Sequence, residues 1–182
     1  MTEPARRDGP GVLKMLIVIV GALLLAFYAF VVLTSRDPLW FVRRFEDQPS
    51  HIVVYHAGQR AYLLPGDAGF DALADAVQSS LAQGFARLSN VGFSEQSLQE
   101  AFTQHVTLEA FFDRPITLHT WFYTGRTTQL LFPITGRHSD LSVVLLGDEG
   151  QYRVGAPVLK TMEPIQDTLR GSSTSNRGHG HH

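Results

Sequence analysis

From Met15 to Leu33, nineteen consecutive positions carry no charge and almost no polar side chain. A helix of that length rises about 28 Å, close to the roughly 30 Å hydrocarbon thickness of a bilayer. The run has no polar stripe, so it lacks the pattern of a surface helix lying on a soluble core. A cleaved signal peptide is the competing reading. Its apolar region is normally about 7–15 residues and ends at a small-residue cleavage site. Here the run is longer and leaves through Thr34-Ser35-Arg36-Asp37-Pro38. The sequence therefore predicts an uncleaved, single-pass transmembrane helix over residues 12–35, with the lipid bilayer as partner of Met15–Leu33.

Flanking charge is close to a tie: Arg6, Arg7 and Lys14 precede the run, and Arg36, Arg43 and Arg44 follow it. A short leading segment is costly to translocate, whereas a long trailing domain crosses largely regardless of its charge. The expected topology is a cytoplasmic tail over 1–11 and an extracytoplasmic domain held at the cell membrane. Residues 36–50 read as an interfacial collar and linker. Trp40 and Phe41 suit headgroup depth, and Arg43 and Arg44 can reach lipid phosphates. A first helical turn packed on the domain fits Leu39–Phe45 equally well. Glu46–Ser50 reads as a polar linker.

Residues 51–170 alternate between the two structural periods. His51–His56 and Arg60–Leu64 form a predicted hairpin. Asp67 is placed to cap a helix in which Phe70, Leu73, Val77 and Leu81 make one apolar stripe, with Gly84 as its stop. Phe85–Val91 reads as a strand, and Ser94 as the cap of a short helix through Thr103. From Val106 the period is two, predicting strands at Val106–Phe112, Ile116–Tyr123, Thr127–Ile134, Leu141–Gly147 and Gln151–Val154. Pro164 suits the first turn of a last helix ending near Arg170. The sum is an α+β fold: an N-terminal transmembrane helix, then a mostly antiparallel sheet with two or three helices on one face. Residues 171–182 are polar and Gly/Ser-rich, a composition that predicts disorder.

A net charge of −2 gives no basic stripe for nucleic acid, and the absence of cysteine removes thiolate metal sites and a cysteine nucleophile. No cofactor is expected. If Asp113-Arg114-Pro115 closes a three-residue hairpin loop, Glu109 lies opposite His119, beside Trp121 and Tyr123. A carboxylate next to an imidazole can orient a general base, and the aromatics offer a ligand platform. The same pairing also fits a solvated cross-strand pair on a water-facing sheet.

Arg137-His138-Ser139-Asp140 reads as a turn and Gly92-Phe93-Ser94 as a helix cap. Pro65-Gly66-Asp67-Ala68-Gly69 lacks the lysine of a P-loop. His179, His181 and His182 are weak metal candidates through neutral imidazoles. The leading expectation is a non-enzymatic accessory or regulatory domain contacting another membrane or envelope protein. The alternative is an extracytoplasmic ligand sensor or hydrolase using the Glu109/His119/Trp121 face.

Overall fold

The structure, a computed structural model, describes residues 11–175. Helix α1 covers Val12–Ser35, and its most apolar stretch has a mean hydropathy of 3.0 and is almost wholly exposed. It is a helix long and apolar enough to cross a membrane. Thr34 and Ser35 return their hydroxyls to the carbonyls of Phe30 and Val31 (3.0 and 2.8 Å), so the last turn offers little unpaired polarity. Arg36 ends the helix in the left-handed conformation (φ 58°), its N–H still donating to the Val32 carbonyl, and Pro38 prevents continuation.

Strands β1 (His51–His56) and β2 (Gln59–Leu63) form the first hairpin. Ala57 and Gly58 both have positive φ (49° and 85°), the primed geometry that matches strand twist. Helix α2 (Phe70–Ala82) follows, then β3 (Phe85–Leu88) and α3 (Glu95–Gln104). The chain next runs through the long β4 (Val106–Ile116), β5 (Thr127–Pro133), β6 (Leu145–Asp148) and the two-residue β7 (Gln151–Tyr152). Strand β8 (Pro157–Leu159) and helix α4 (Glu163–Ser175) complete the fold. The main sheet has the order β2-β1-β4-β5-β6-β7, antiparallel throughout; β3 and β8 make a separate antiparallel pair.

Alternation along the strands divides the sheet between two cores. Ile52, Leu108, Ala110, Leu130, Phe132 and Leu146 point to one face, where Phe70, Leu73, Val77 and Leu81 of α2 and Ile165 of α4 join them. Val77 and Ile165 are wholly buried, and burying a side chain of this kind contributes about 1.5–3 kcal/mol. On the opposite face Leu131 and Leu145 meet Val143, Ala156 and Val158, with Leu98 and Phe102 of α3 packed alongside. The α+β class, the antiparallel sheet and the apolar stripe of α2 follow the sequence reading. Two helices share one face and α3 covers the other.

Several local expectations are corrected. Asp113-Arg114-Pro115 does not reverse the chain. Pro115 cannot donate to the ladder, and the register slips between Phe111↔Gln129 and Ile116↔Thr127, so β4 carries these residues as an irregularity and runs on. The strand expected at Ile116–Tyr123 is a loop, and β4 pairs with β1 and β5 instead. The expected strand from Leu141 begins at Leu145, because Ser139–Leu141 form a 3-10 turn and Val143 bridges to Val158 of β8. Strand β3 stops at Leu88, and the strand expected at Gln151–Val154 covers only Gln151 and Tyr152. Strand β8 had no alternation long enough to announce it.

Asp67 does not cap α2. Its carboxylate accepts from the Leu64 N–H at 2.8 Å, and Gly69 occupies the capping position. Ser94 does cap α3, accepting from Ser97 N–H at 3.2 Å. Helix α4 continues past Arg170 to Ser175, into the stretch read as disordered. The candidate metal ligands His179, His181 and His182 lie outside the described residues. Glu46–Ser50 is docked rather than loose: the Ser50 N–H donates to the Phe111 carbonyl at 2.7 Å, and Asp47 faces Arg114 at 3.7 Å.

Candidate functional site

The structure separates the two residues expected to work together. Glu109 sits mid-strand in β4, opposite Val53 of β1 and Leu131 of β5. It is 3% exposed, so it is not solvated, and its carboxylate pairs with Tyr55, Gln129 and Tyr152 while His119 pairs with Asp37. The pairing of Glu109 with His119 fails because it required the hairpin that Asp113–Pro115 does not make.

Three donors from three other strands converge on the Glu109 carboxylate. The Tyr55 hydroxyl of β1 donates to Oε2 at 2.7 Å, and the Gln129 amide of β5 donates to Oε1 at 2.9 Å. The Tyr152 hydroxyl of β7 also donates to Oε1. The same Gln129 amide donates to the Tyr152 hydroxyl at 2.6 Å, while its carbonyl oxygen accepts from the Gly150 N–H at 3.1 Å. Gly147 makes this reach possible. A Cβ there would meet Tyr152 Cε1 at 2.9 Å, so only glycine lets the ring lie across β6 toward β4.

Burial, and then the adjacent Glu109 carboxylate, push both phenols above their ordinary range: in Tyr55 the hydrogen bond to Glu109 is the second cause, and in Tyr152 its charge. With its acceptor oxygens engaged and water excluded, Glu109 ties together four of the six main strands. A reacting group would have to displace those donors to reach it.

His119 lies in the loop between β4 and β5. Its Nδ1 is 2.9 Å from Asp37 Oδ2, one residue beyond the Arg36 cap of α1, and Asp37 Oδ1 accepts from the Leu39 N–H at 2.8 Å. Four residues on, the Tyr123 ring receives the Arg36 guanidinium at 5.3 Å from its centroid. Within the loop Leu118, Thr120 and Phe122 are buried, while Trp121 and Tyr123 point outward, 53% and 55% exposed. The Arg153 guanidinium staples the return leg by donating to the carbonyls of Thr124 (3.0 Å) and Arg126, and crosses Gly125 so closely that a Cβ there would collide with it.

The collar is a turn over Pro38–Phe41 rather than a helical turn. Trp40 packs edge-on against Phe27 of α1 (6.2 Å), and Phe41 remains exposed. Arg43 and Arg44 are exposed too, Arg44 pairing with Glu46, whereas Phe45 enters the core against Phe112 at 6.0 Å. A groove of about 460 Å³ beside His119 is lined by Leu39, Val42, Phe45, Arg44 and Arg114.

Sequence reasoning put His119, Trp121 and Tyr123 on one face of a strand. The structure holds them in a loop, with His119 and Tyr123 against the end of α1, a neighbour the sequence did not announce, and Trp121 exposed between them. Sequence reasoning also missed the four-strand network. A glutamate in the middle of an alternating strand, with tyrosines in two others, was the available signal. Among the described residues no cluster of three or more His, Asp or Glu side chains could hold a metal ion. No protein family, curated protein or solved structure matches the chain.

Proposed function

We propose that the chain is a single-pass membrane protein whose extracytoplasmic domain is a non-enzymatic accessory or regulatory module that contacts another membrane or envelope protein. The observation that carries this reading is β2. It is the edge of the six-stranded sheet, its residues are exposed except the half-buried Leu63, and Tyr62 and Leu64 stand outward beside it. Edge strands left open are templates for an added strand, and natural proteins usually cover or blunt them.

The hairpin register says which groups are free. A two-residue loop makes His56↔Gln59 a hydrogen-bonded pair, so Val54↔Ala61 and Ile52↔Leu63 bond as well. The backbone groups of Arg60 and Tyr62 therefore face away from β1, toward the incoming partner. Proline on an edge strand removes an outward donor and leaves the inner ladder intact.

The test is a photo-crosslinker placed at Tyr62 of the full chain in native membranes, with and without Arg60→Pro. Expected is a discrete protein adduct that disappears in Arg60→Pro while the melting temperature is retained. An adduct pattern indifferent to Arg60→Pro, or no adduct at all, overturns the reading.

A further inference from the structure

We propose that the loop carrying His119, Trp121 and Tyr123 is a second membrane contact: an aromatic anchor that seats the domain in the headgroup layer of the bilayer crossed by α1. The inference rests on α1 spanning a membrane, and adds that the domain is clamped to that membrane rather than tethered near it.

Depth follows from α1 itself. Its 24 residues rise about 36 Å against a hydrocarbon core of roughly 30 Å, so a helix that spans the core places its Arg36 end among the headgroups. The loop is fixed to that end twice, by His119 on Asp37 and by Tyr123 over Arg36. Trp121 lies two residues from each attachment. Two extended residues reach at most about 7 Å, comparable with the roughly 5–7 Å thickness of one headgroup layer.

The chemistry of the rim suits lipid. Leu39 and Phe41 on the collar, and Trp121 and Tyr123 on the loop, are four large apolar side chains each about half exposed around one helix end. Tryptophan and tyrosine favour this depth because their rings are apolar and their tips hydrogen-bond. Arg36 and Arg43 are exposed on the same stretch and can meet phosphates, while Asp37 is buried and turned to His119 and the Leu39 N–H, and Glu46 is paired with Arg44. Zwitterionic or anionic phospholipid headgroups are thus the partner this surface fits.

The chain has two tryptophans, which makes the test direct. In full-length Trp40→Phe, reconstituted into phosphatidylcholine vesicles, Trp121 is the sole tryptophan. Among the described residues the Trp40 indole N–H has no hydrogen-bond partner, so this substitution breaks no hydrogen bond and keeps an aromatic ring against Phe27 and Phe41. The difference between wild type and Trp121→Phe reports the same fluorescence without altering Trp40.

Expected is at least about twofold quenching of Trp121 by lipids brominated near the glycerol, less by lipids brominated deep in the chain, and shielding from aqueous iodide, as for interfacial tryptophan. Carbonate-resistant flotation with the vesicles scores the span separately. Flotation with an unquenched, iodide-accessible Trp121 overturns the clamp and leaves the span standing. Failure to float overturns the span and the clamp together.

Discussion

Replacing Glu109 by alanine separates a structural tie from a solvated side chain. The substitution leaves the Tyr152 hydroxyl and the Gln129 amide facing a site without an acceptor; Tyr55, half-exposed, can turn to water. A buried donor left unsatisfied costs about 1–3 kcal/mol, and the one lost methylene group of a buried side chain adds about 0.8 kcal/mol. The expected loss is therefore roughly 3–7 kcal/mol, a large part of the 5–15 kcal/mol that holds a typical domain together. For a domain of this size that corresponds to a fall in melting temperature of about 9 °C or more. The assay is thermal unfolding of the full chain in mild detergent, followed by near-ultraviolet circular dichroism, which reports the packing of aromatic side chains, most of which lie outside α1. Glu109→Gln should fall between wild type and Glu109→Ala, because an amide keeps one acceptor but turns a donor toward donors. In a Tyr152→Phe background one orphaned donor is already gone, so Glu109→Ala should cost about 1–3 kcal/mol less there. A melting temperature within about 3 °C of wild type for Glu109→Ala would refute the reasoning, since that is the behaviour of an exposed ion pair.

Two further outcomes follow from the same geometry. Tyr55 and Tyr152 hold their protons more tightly folded than unfolded, so their stabilisation is complete below the ordinary phenol range near pH 10 and is lost as the pH rises above it; denaturant midpoints should fall above about pH 10 and fall less steeply in Tyr152→Phe, and parallel curves for the two proteins would exclude the network as the cause. Because the chain contains no cysteine, Gln99→Cys on the exposed side of α3 gives a single label site; a membrane-impermeant maleimide should modify it in intact cells, and labelling only after lysis would reverse the proposed topology.

What the sequence determined is what depends on short-range periodicity. The apolar run produced α1 because length and hydrophobicity alone decide whether a helix can cross a bilayer. The stripe at Phe70, Leu73, Val77 and Leu81 produced α2, and Ser94 capped α3, since a cap acts over three residues. The tertiary structure decided which strands are neighbours. Asp113-Arg114-Pro115 punctuates the chain whether it reverses or bulges, and only competition for partners selects the bulge: β1 returns to β4 after some fifty residues and takes the edge that a local hairpin would have used. That choice moved Glu109 from an imagined pair with His119 to a buried junction with Tyr55, Gln129 and Tyr152, residues 20 to 54 positions away in sequence. It also freed the segment from Thr117 to Arg126 to fold back on the end of α1, where Asp37 receives His119 across 82 positions. Contacts at that separation depend on how the elements pack, which no local pattern encodes.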